Sequence, residues 1–263
     1  IALPGATAAR ADGPLLCVLV PHFKDEYWLS VAYGIEQRAA EQALAVRFFE
    51  AGGYEALDAQ IRQLADCAAL DPGAVLIGAV SSNAPELLDA IHRAAQQGPV
   101  IGLVNELHSP DLAARVGVDW QQMGEVLGRH LSSRFPATDA PQTAVFLTGP
   151  PESGWVGPLE AGLRQGLAGS GVTIAAVYGA DTGVAQQLRL VEAALREHPE
   201  AGLLIGPAPA IEAAMGYLNG QSEAPLLAAT YMSYAVARGL VGGRIEAAPF
   251  DDPVRQGQMS VDA

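Results

Sequence analysis

Basic residues are scarce in this chain: 15 Lys and Arg stand against 29 Asp and Glu, a formal charge of −14 over 263 residues. Phosphate backbones are bound by a clustered surplus of Lys and Arg, so no nucleic-acid partner is expected and acidic solubility is the simpler reading. No helix-turn-helix headpiece precedes Leu15, which argues against a repressor. Apolar runs of membrane-span length are missing, so no direct membrane insertion is expected, and no leader with a basic n-region and an apolar h-region is visible. Cys17 and Cys67 are the only cysteines, without CxxC spacing or a nearby histidine cluster, and no metal site is expected. They read either as a disulfide between the first strand and the second helix, in an oxidising compartment, or as two buried thiols. The short signatures of enzymes are missing too: there is no G-x-S-x-G elbow, Walker loop, HExxH or G-x-G-x-x-G. Gly52-Gly53 alone is too little for a phosphate cradle, and nothing fixes the separation of an acid/base pair. The chain is therefore expected not to be an enzyme, with no catalytic residue and no cofactor.

Half of the residues are hydrophobic, enough to bury the core of one large domain or of two smaller lobes. Residues 1–14, with Pro4 and Gly5 among alanines, read as a disordered tail or the start of a mature secreted chain. Strand-length apolar segments at 15–20, 46–50, 74–80 and 100–105 then alternate with helical patterns at 28–44, 55–70 and 85–97. A parallel sheet covered on both faces is the expected result, because its strands read as continuous Val, Leu and Ile. A second series follows, with strands at 143–149, 172–178, 203–206 and 226–231 and helices near 157–168, 184–197 and 209–219. The fold class is α/β: two Rossmann-like lobes, 15–117 and 118–243, joined by crossover strands. The first crossover is expected at 115–120, ahead of a helix near 121–134. Residues 244–263 are expected to return toward the first lobe and to lack their native end, since a helix starting at Val254 is short for a packed terminal one.

The run Pro21-His22-Phe23-Lys24-Asp25-Glu26-Tyr27-Trp28 lies at the turn from the first strand into its helix, and open α/β proteins bind ligands at such strand ends. Tyr27 and Trp28 follow the first strand, Tyr54 the second, Trp120 the crossover and Tyr231 the last strand of the second lobe. Five aromatics thus converge on one interlobe cleft, a box suited to a methylated ammonium held by the faces of the rings. Asp25 sits where a helix N-cap is expected, and capping and ligand contact both account for it. Glu26 reads as a rim or solvent residue, whereas His22 and Lys24 have no clear role. Core packing is the competing reading for the aromatics, Trp28 above all, and Trp120 alternatively stabilises the hinge.

Two lobes with strand-like crossovers resemble the type I periplasmic binding proteins, the fold of solute receptors and of LacI-type effector domains. The run from Pro21 to Val31, Glu50-Ala51-Gly52-Gly53-Tyr54, Val104-Asn105-Glu106-Leu107, Gly117-Val118-Asp119-Trp120, Ala229-Thr230-Tyr231-Met232-Ser233 and Gln256-Gly257-Gln258-Met259-Ser260-Val261 are similar, in order, to the TorT family. That resemblance implies a periplasmic sensor that binds trimethylamine N-oxide, or another methylated amine, and signals to a TorS-like membrane sensor histidine kinase of a two-component system. It implies ligand contacts from Asp25, Tyr27, Trp28, Tyr54, Trp120 and Tyr231, prefers Tyr231 to Tyr234, and adds Asn105 as a cleft residue. The oxide of such a ligand needs a donor, from a Tyr hydroxyl, a Trp indole N–H or the free N–H groups at the start of the first helix. Trp155 departs from the family pattern, which has a small residue there. Its indole either narrows the pocket or forms part of a partner surface. The alternative function is a sugar-binding receptor of an ABC transporter.

Overall fold

The computed structural model describes residues 13–263, so the expected tail at 1–14 lies, but for its last two residues, outside the described residues. The first lobe is built from β1 (Leu15–Val20), α1 (Glu26–Glu41), β2 (Ala45–Glu50), α2 (Leu57–Ala68), β3 (Ala74–Ile77), α3 (Pro85–Ala95), β4 (Val100–Val104) and β5 (Ala114–Gly117). All its strands pair in parallel in the order β2-β1-β3-β4-β5. After a crossing at 118–119 come α4 (Trp120–Arg134), β6 (Gln142–Thr148), α5 (Val156–Gly166), β7 (Val172–Gly179), α6 (Val184–Glu197), β8 (Leu203–Gly206), α7 (Ala208–Tyr217), β9 (Leu226–Ala229), α8 (Tyr234–Val241) and α9 (Pro253–Asp262). The second sheet runs β7-β6-β8-β9, the order of the first four strands of the first lobe. A parallel bridge from Ala228 to Ala247 places the returning chain beside β9, where β5 lies beside β4.

In both sheets the order reverses beside the first strand, so the loops after β1 and β6 open onto a crevice at the carboxyl ends of the strands. Asp25 of the first loop and Trp155 of the second line the same cavity between the lobes. One apolar cluster runs through both lobes, and a second, with Leu19, Leu64, Ile77, Leu87 and Ile91, fills the α2/α3 face of the first sheet. Cys17 of β1 and Cys67 of α2 lie in that second cluster and form a disulfide, so of the two readings the bridge is the one realised.

The strand expected over 74–80 stops at Ile77, and just beyond it the Trp28 indole lies where a side chain on Gly78 would be. The helix at 234–241 was not expected; Ser233 caps it by accepting from the Val236 N–H at 3.2 Å. Helix α9 is short, yet it packs along α1 with Gly34 and Gly257 at the contact, where any Cβ would meet the other helix's backbone. Close backbone approach substitutes for length there. The return from β9 to α9 crosses between the lobes at 249–252, and Asp252 caps α9 through the Arg255 N–H at 3.0 Å.

Candidate ligand-binding site

A small cavity between the lobes is lined by Asp25, Tyr27, Trp28, Tyr54, Val104, Asn105, Trp120, Trp155, Thr182 and Tyr231. All eight residues singled out in the sequence therefore lie on one wall or another of one cavity, and Val104 and Thr182 join them. Tyr27 and Trp28 enter from the first turn of α1, Tyr54 from the β2–α2 loop, Asn105 from the end of β4, Trp120 from the first crossing, Trp155 from the β6–α5 loop, and Tyr231 from the end of β9. The rings touch one another: Trp120 lies 5.7 Å from Trp155 and 6.2 Å from Tyr231 between centroids, and Tyr27 lies 5.2 Å from Tyr231. The space that the centre of a water-sized sphere can reach among them is only about 10 Å³. That is room for about one water-sized body, so the cage is shut around a very small volume.

Two glycines make room for the indoles. A Cβ on Gly78, after β3, would overlap Trp28, and one on Gly149, after β6, would overlap Trp155. The two lobes thus seat their tryptophans by the same device. Trp155 is 2% exposed, which excludes the reading as a partner surface.

Polar groups in the wall are nearly all committed. Asp25 accepts from the Tyr27 N–H through Oδ1 at 3.0 Å, which caps α1, and from the Tyr231 hydroxyl through Oδ2 at 2.5 Å. Capping and a place in the cavity wall are therefore both true of this residue. Tyr27 donates its hydroxyl to Asp251 Oδ2 at 2.6 Å and accepts from Gln256 Nε2 at 2.9 Å. The Trp120 indole N–H donates to the Val104 carbonyl at 3.1 Å. Val104 itself is left-handed at φ 64°, a costly conformation for a β-branched residue that only firm surroundings maintain. Tyr54 differs. Its hydroxyl accepts from Asn105 Nδ2 at 3.3 Å and has no acceptor of its own among the described residues. Its own proton is therefore an uncommitted donor of the cage, as are the indole N–H groups of Trp28 and Trp155 among the described residues.

Burial raises the Tyr27, Tyr54 and Tyr231 hydroxyls above the ordinary phenol range, so all three keep their protons. Burial also lifts Asp25 from 3.8 to about 6, against the opposing hydrogen bonds from Tyr231 and the Tyr27 N–H. Asp25 is thus a carboxylate at neutral pH with a high cost of charge, and a cation beside it would relieve that cost.

Both crossings end in this wall, the first at Trp120 bonded to Val104 and the second at Asp251 bonded to Tyr27. Glu26, expected at the rim or in solvent, instead reaches across the lobes: its Oε2 accepts the Ala235 N–H at 3.1 Å, at the start of α8. The N-terminus of a helix carries unpaired N–H groups and positive potential, which suits a carboxylate. Thr182 escaped the sequence reading although it follows β7, and the strand-end rule that found the aromatics would have found it too.

Two doubly wound lobes closed over a small buried cavity define a solute-binding protein, and no clustered metal ligands occur among the described residues. A family model described as "Periplasmic binding protein domain" matches residues 16–263. Periplasmic protein TorT of Escherichia coli strain K12 is 35% identical over 247 residues, 94% of this chain and 70% of TorT. The chain therefore belongs to the periplasmic binding protein family and, within it, groups with TorT. Among solved structures, a TorS sensor domain–TorT complex in the presence of TMAO (trimethylamine N-oxide) matches with a TM-score of 0.82 at 32% identity, over 95% of this chain and 84% of that one. An ABC transporter solute-binding protein from Bradyrhizobium sp. BTAi1 with bound bis-tris matches with a TM-score of 0.75 at 37% identity, over 95% and 76%. Family membership makes the protein periplasmic, and no helix of the described residues is long and apolar enough to cross a membrane. The family is one of binding proteins rather than enzymes.

Proposed function

We propose that the protein is a periplasmic sensor that binds trimethylamine N-oxide, or a closely related methylated amine, in the interlobe cage and reports it to a TorS-like membrane sensor histidine kinase. The observation that carries this reading is an aromatic cavity holding one carboxylate and the uncommitted Tyr54 hydroxyl. Ring faces attract a methylated nitrogen without hydrogen bonds, and the Asp25 carboxylate favours its positive charge. The Tyr54 hydroxyl, kept protonated by burial, donates to the oxide. Trp28, Trp120, Trp155, Tyr27 and Tyr231 then supply the apolar walls, and Asn105 orients Tyr54.

Contacts to the ligand come from both lobes, and a ligand shifts a lobe equilibrium only through such differential affinity. A partner that grips both lobes would read that shift. The TorS sensor domain–TorT complexes, solved with and without TMAO, support a kinase partner of this kind. A sugar receptor is the poorer reading. A sugar's several hydroxyls need Asp, Asn and Arg partners, yet the cavity offers Asp25, Asn105 and Thr182 and no arginine.

Calorimetry with trimethylamine N-oxide, tetramethylammonium, bis-tris and a panel of pentoses and hexoses tests the ligand, and co-purification with the periplasmic domain of a TorS-like kinase tests the partner. Saturable binding of the oxide with no response to sugars is the expected result. Binding of sugars alone would overturn the reading.

A further inference from the structure

We propose that Asp181 and Thr182, on the loop after β7, form the gate of the cage, a polar latch that the second lobe closes onto the first and that must break for a ligand to pass. Asp181 Oδ2 accepts from Lys24 Nζ at 3.3 Å. Its Oδ1 accepts from the Tyr54 N–H at 3.3 Å and lies 3.2 Å from His22 Nε2. Thr182 Oγ1 is 3.0 Å from the same His22 nitrogen. Every one of these partners belongs to the first lobe. His22 Nδ1 accepts the Lys24 N–H at 3.2 Å, so the ring proton sits on Nε2 and points at Asp181 and Thr182. The fully buried His22 thus donates across the lobes.

The position of the pair makes it a gate and not only a tie. Thr182 lines the cage, whereas Asp181 lines a solvent-open groove of about 570 Å³ shared with Lys24, Gly53, Glu55 and Arg189. On this side of the cage two consecutive residues therefore separate the groove from the cavity. Gly53, at φ 158° and in close contact with Asp181, leaves no room for a side chain, so the carboxylate is held against the β2–α2 loop. That loop carries Tyr54. The latch consequently positions the hydroxyl assigned to the oxide, and Asp181 acts as a positioning residue with no ligand contact of its own. Burial pushes the Asp181 carboxyl up, but the bonds from His22, the Tyr54 N–H and Lys24 outweigh it and hold the group near 2, so the latch stays charged throughout the neutral range.

The gate rests on the proposed ligand reading only for its kinetic arm, and the test has a second arm that needs no ligand. Asp181→Asn keeps the shape but turns an N–H₂ toward donors. Hydrogen bonds to charged groups are strong enough that the variant is expected to release trimethylamine N-oxide about tenfold faster, followed by tryptophan fluorescence in stopped flow. Spin labels on Asp66→Cys and Arg196→Cys, exposed positions on α2 and α6, report the interlobe distance without ligand. Asp181→Asn and Lys24→Met are each expected to lengthen or broaden that distance. An unchanged distance in both variants overturns the gate, whatever the ligand proves to be. Failure of the wild type to bind the oxide, with the distance lengthened, overturns the ligand reading and leaves the gate standing. Should Asp181→Asn not fold, Lys24→Met on the exposed side decides both arms.

Discussion

Asp25 serves three structures at once, as cap of α1, acceptor for Tyr231 and wall of the cage. Its carboxyl has a higher pKa folded, about 6, than the ordinary 3.8, so between these values the folded state binds more protons than the unfolded state. Stability attributable to this residue is therefore greatest below pH 4 and declines as pH rises to 6, by about 3 kcal/mol. Asp25→Asn keeps an acceptor for the cap and removes the titration. Urea midpoints from pH 4 to 7 are expected to fall more steeply for the wild type than for this variant. Tyr54 has the complementary role, since its hydroxyl is an uncommitted donor. Tyr54→Phe is expected to weaken trimethylamine N-oxide about tenfold while leaving tetramethylammonium nearly unchanged, because only the oxide needs the bond. Equal losses for both ligands in calorimetry would count against the assignment of Tyr54. Asp25 was visible in the sequence as a cap, but its partner Tyr231 lies 206 positions away and only folding brings the two together.

At the scale of elements, the strands were legible because parallel strands buried on both faces are unbroken apolar runs. Strand β1 was read to the residue. The misses have local causes. The apolar run after β3 continues as Gly78-Ala79-Val80, which the period cannot tell from strand, yet the ladder ends at Ile77, where the Trp28 indole packs against Gly78. Helix α8 has only eight residues and follows β9 after a short turn, so its pattern merged with the strand before it. The disulfide pins α2 to β1 and closes a loop of 50 residues. Loop-closure entropy of that size is worth about 4 kcal/mol, less any native strain. Reduction is expected to lower the denaturant midpoint accordingly while affinity stays within about twofold, since the bridge lies in the α2/α3 cluster and not in the cage wall. Paired denaturation and calorimetry with and without reductant measure the two effects separately.

At the scale of the whole molecule, both crossings and several polar ties hold the lobes shut, among them Tyr231 to Asp25, Glu26 to the start of α8, and Asp181 to Lys24. A ligand that binds only this closed form must stabilise it by linkage. At a hundredfold excess over Kd, trimethylamine N-oxide is expected to raise the unfolding free energy by about 2.7 kcal/mol, with a Tm that climbs with ligand concentration. A Tm that does not move with the oxide would sink that expectation. The sequence by itself determined the two βα series and the aromatic at each strand end, because hydrophobic period and strand-end position are local properties of the chain. Only the tertiary structure decided which hydroxyl stays free, how tightly the cage shuts and that His22, Lys24 and Asp181 meet. Each of these depends on contacts between residues far apart in the chain, from 51 positions for Tyr54 and Asn105 to 157 for Lys24 and Asp181, and not on any local spacing.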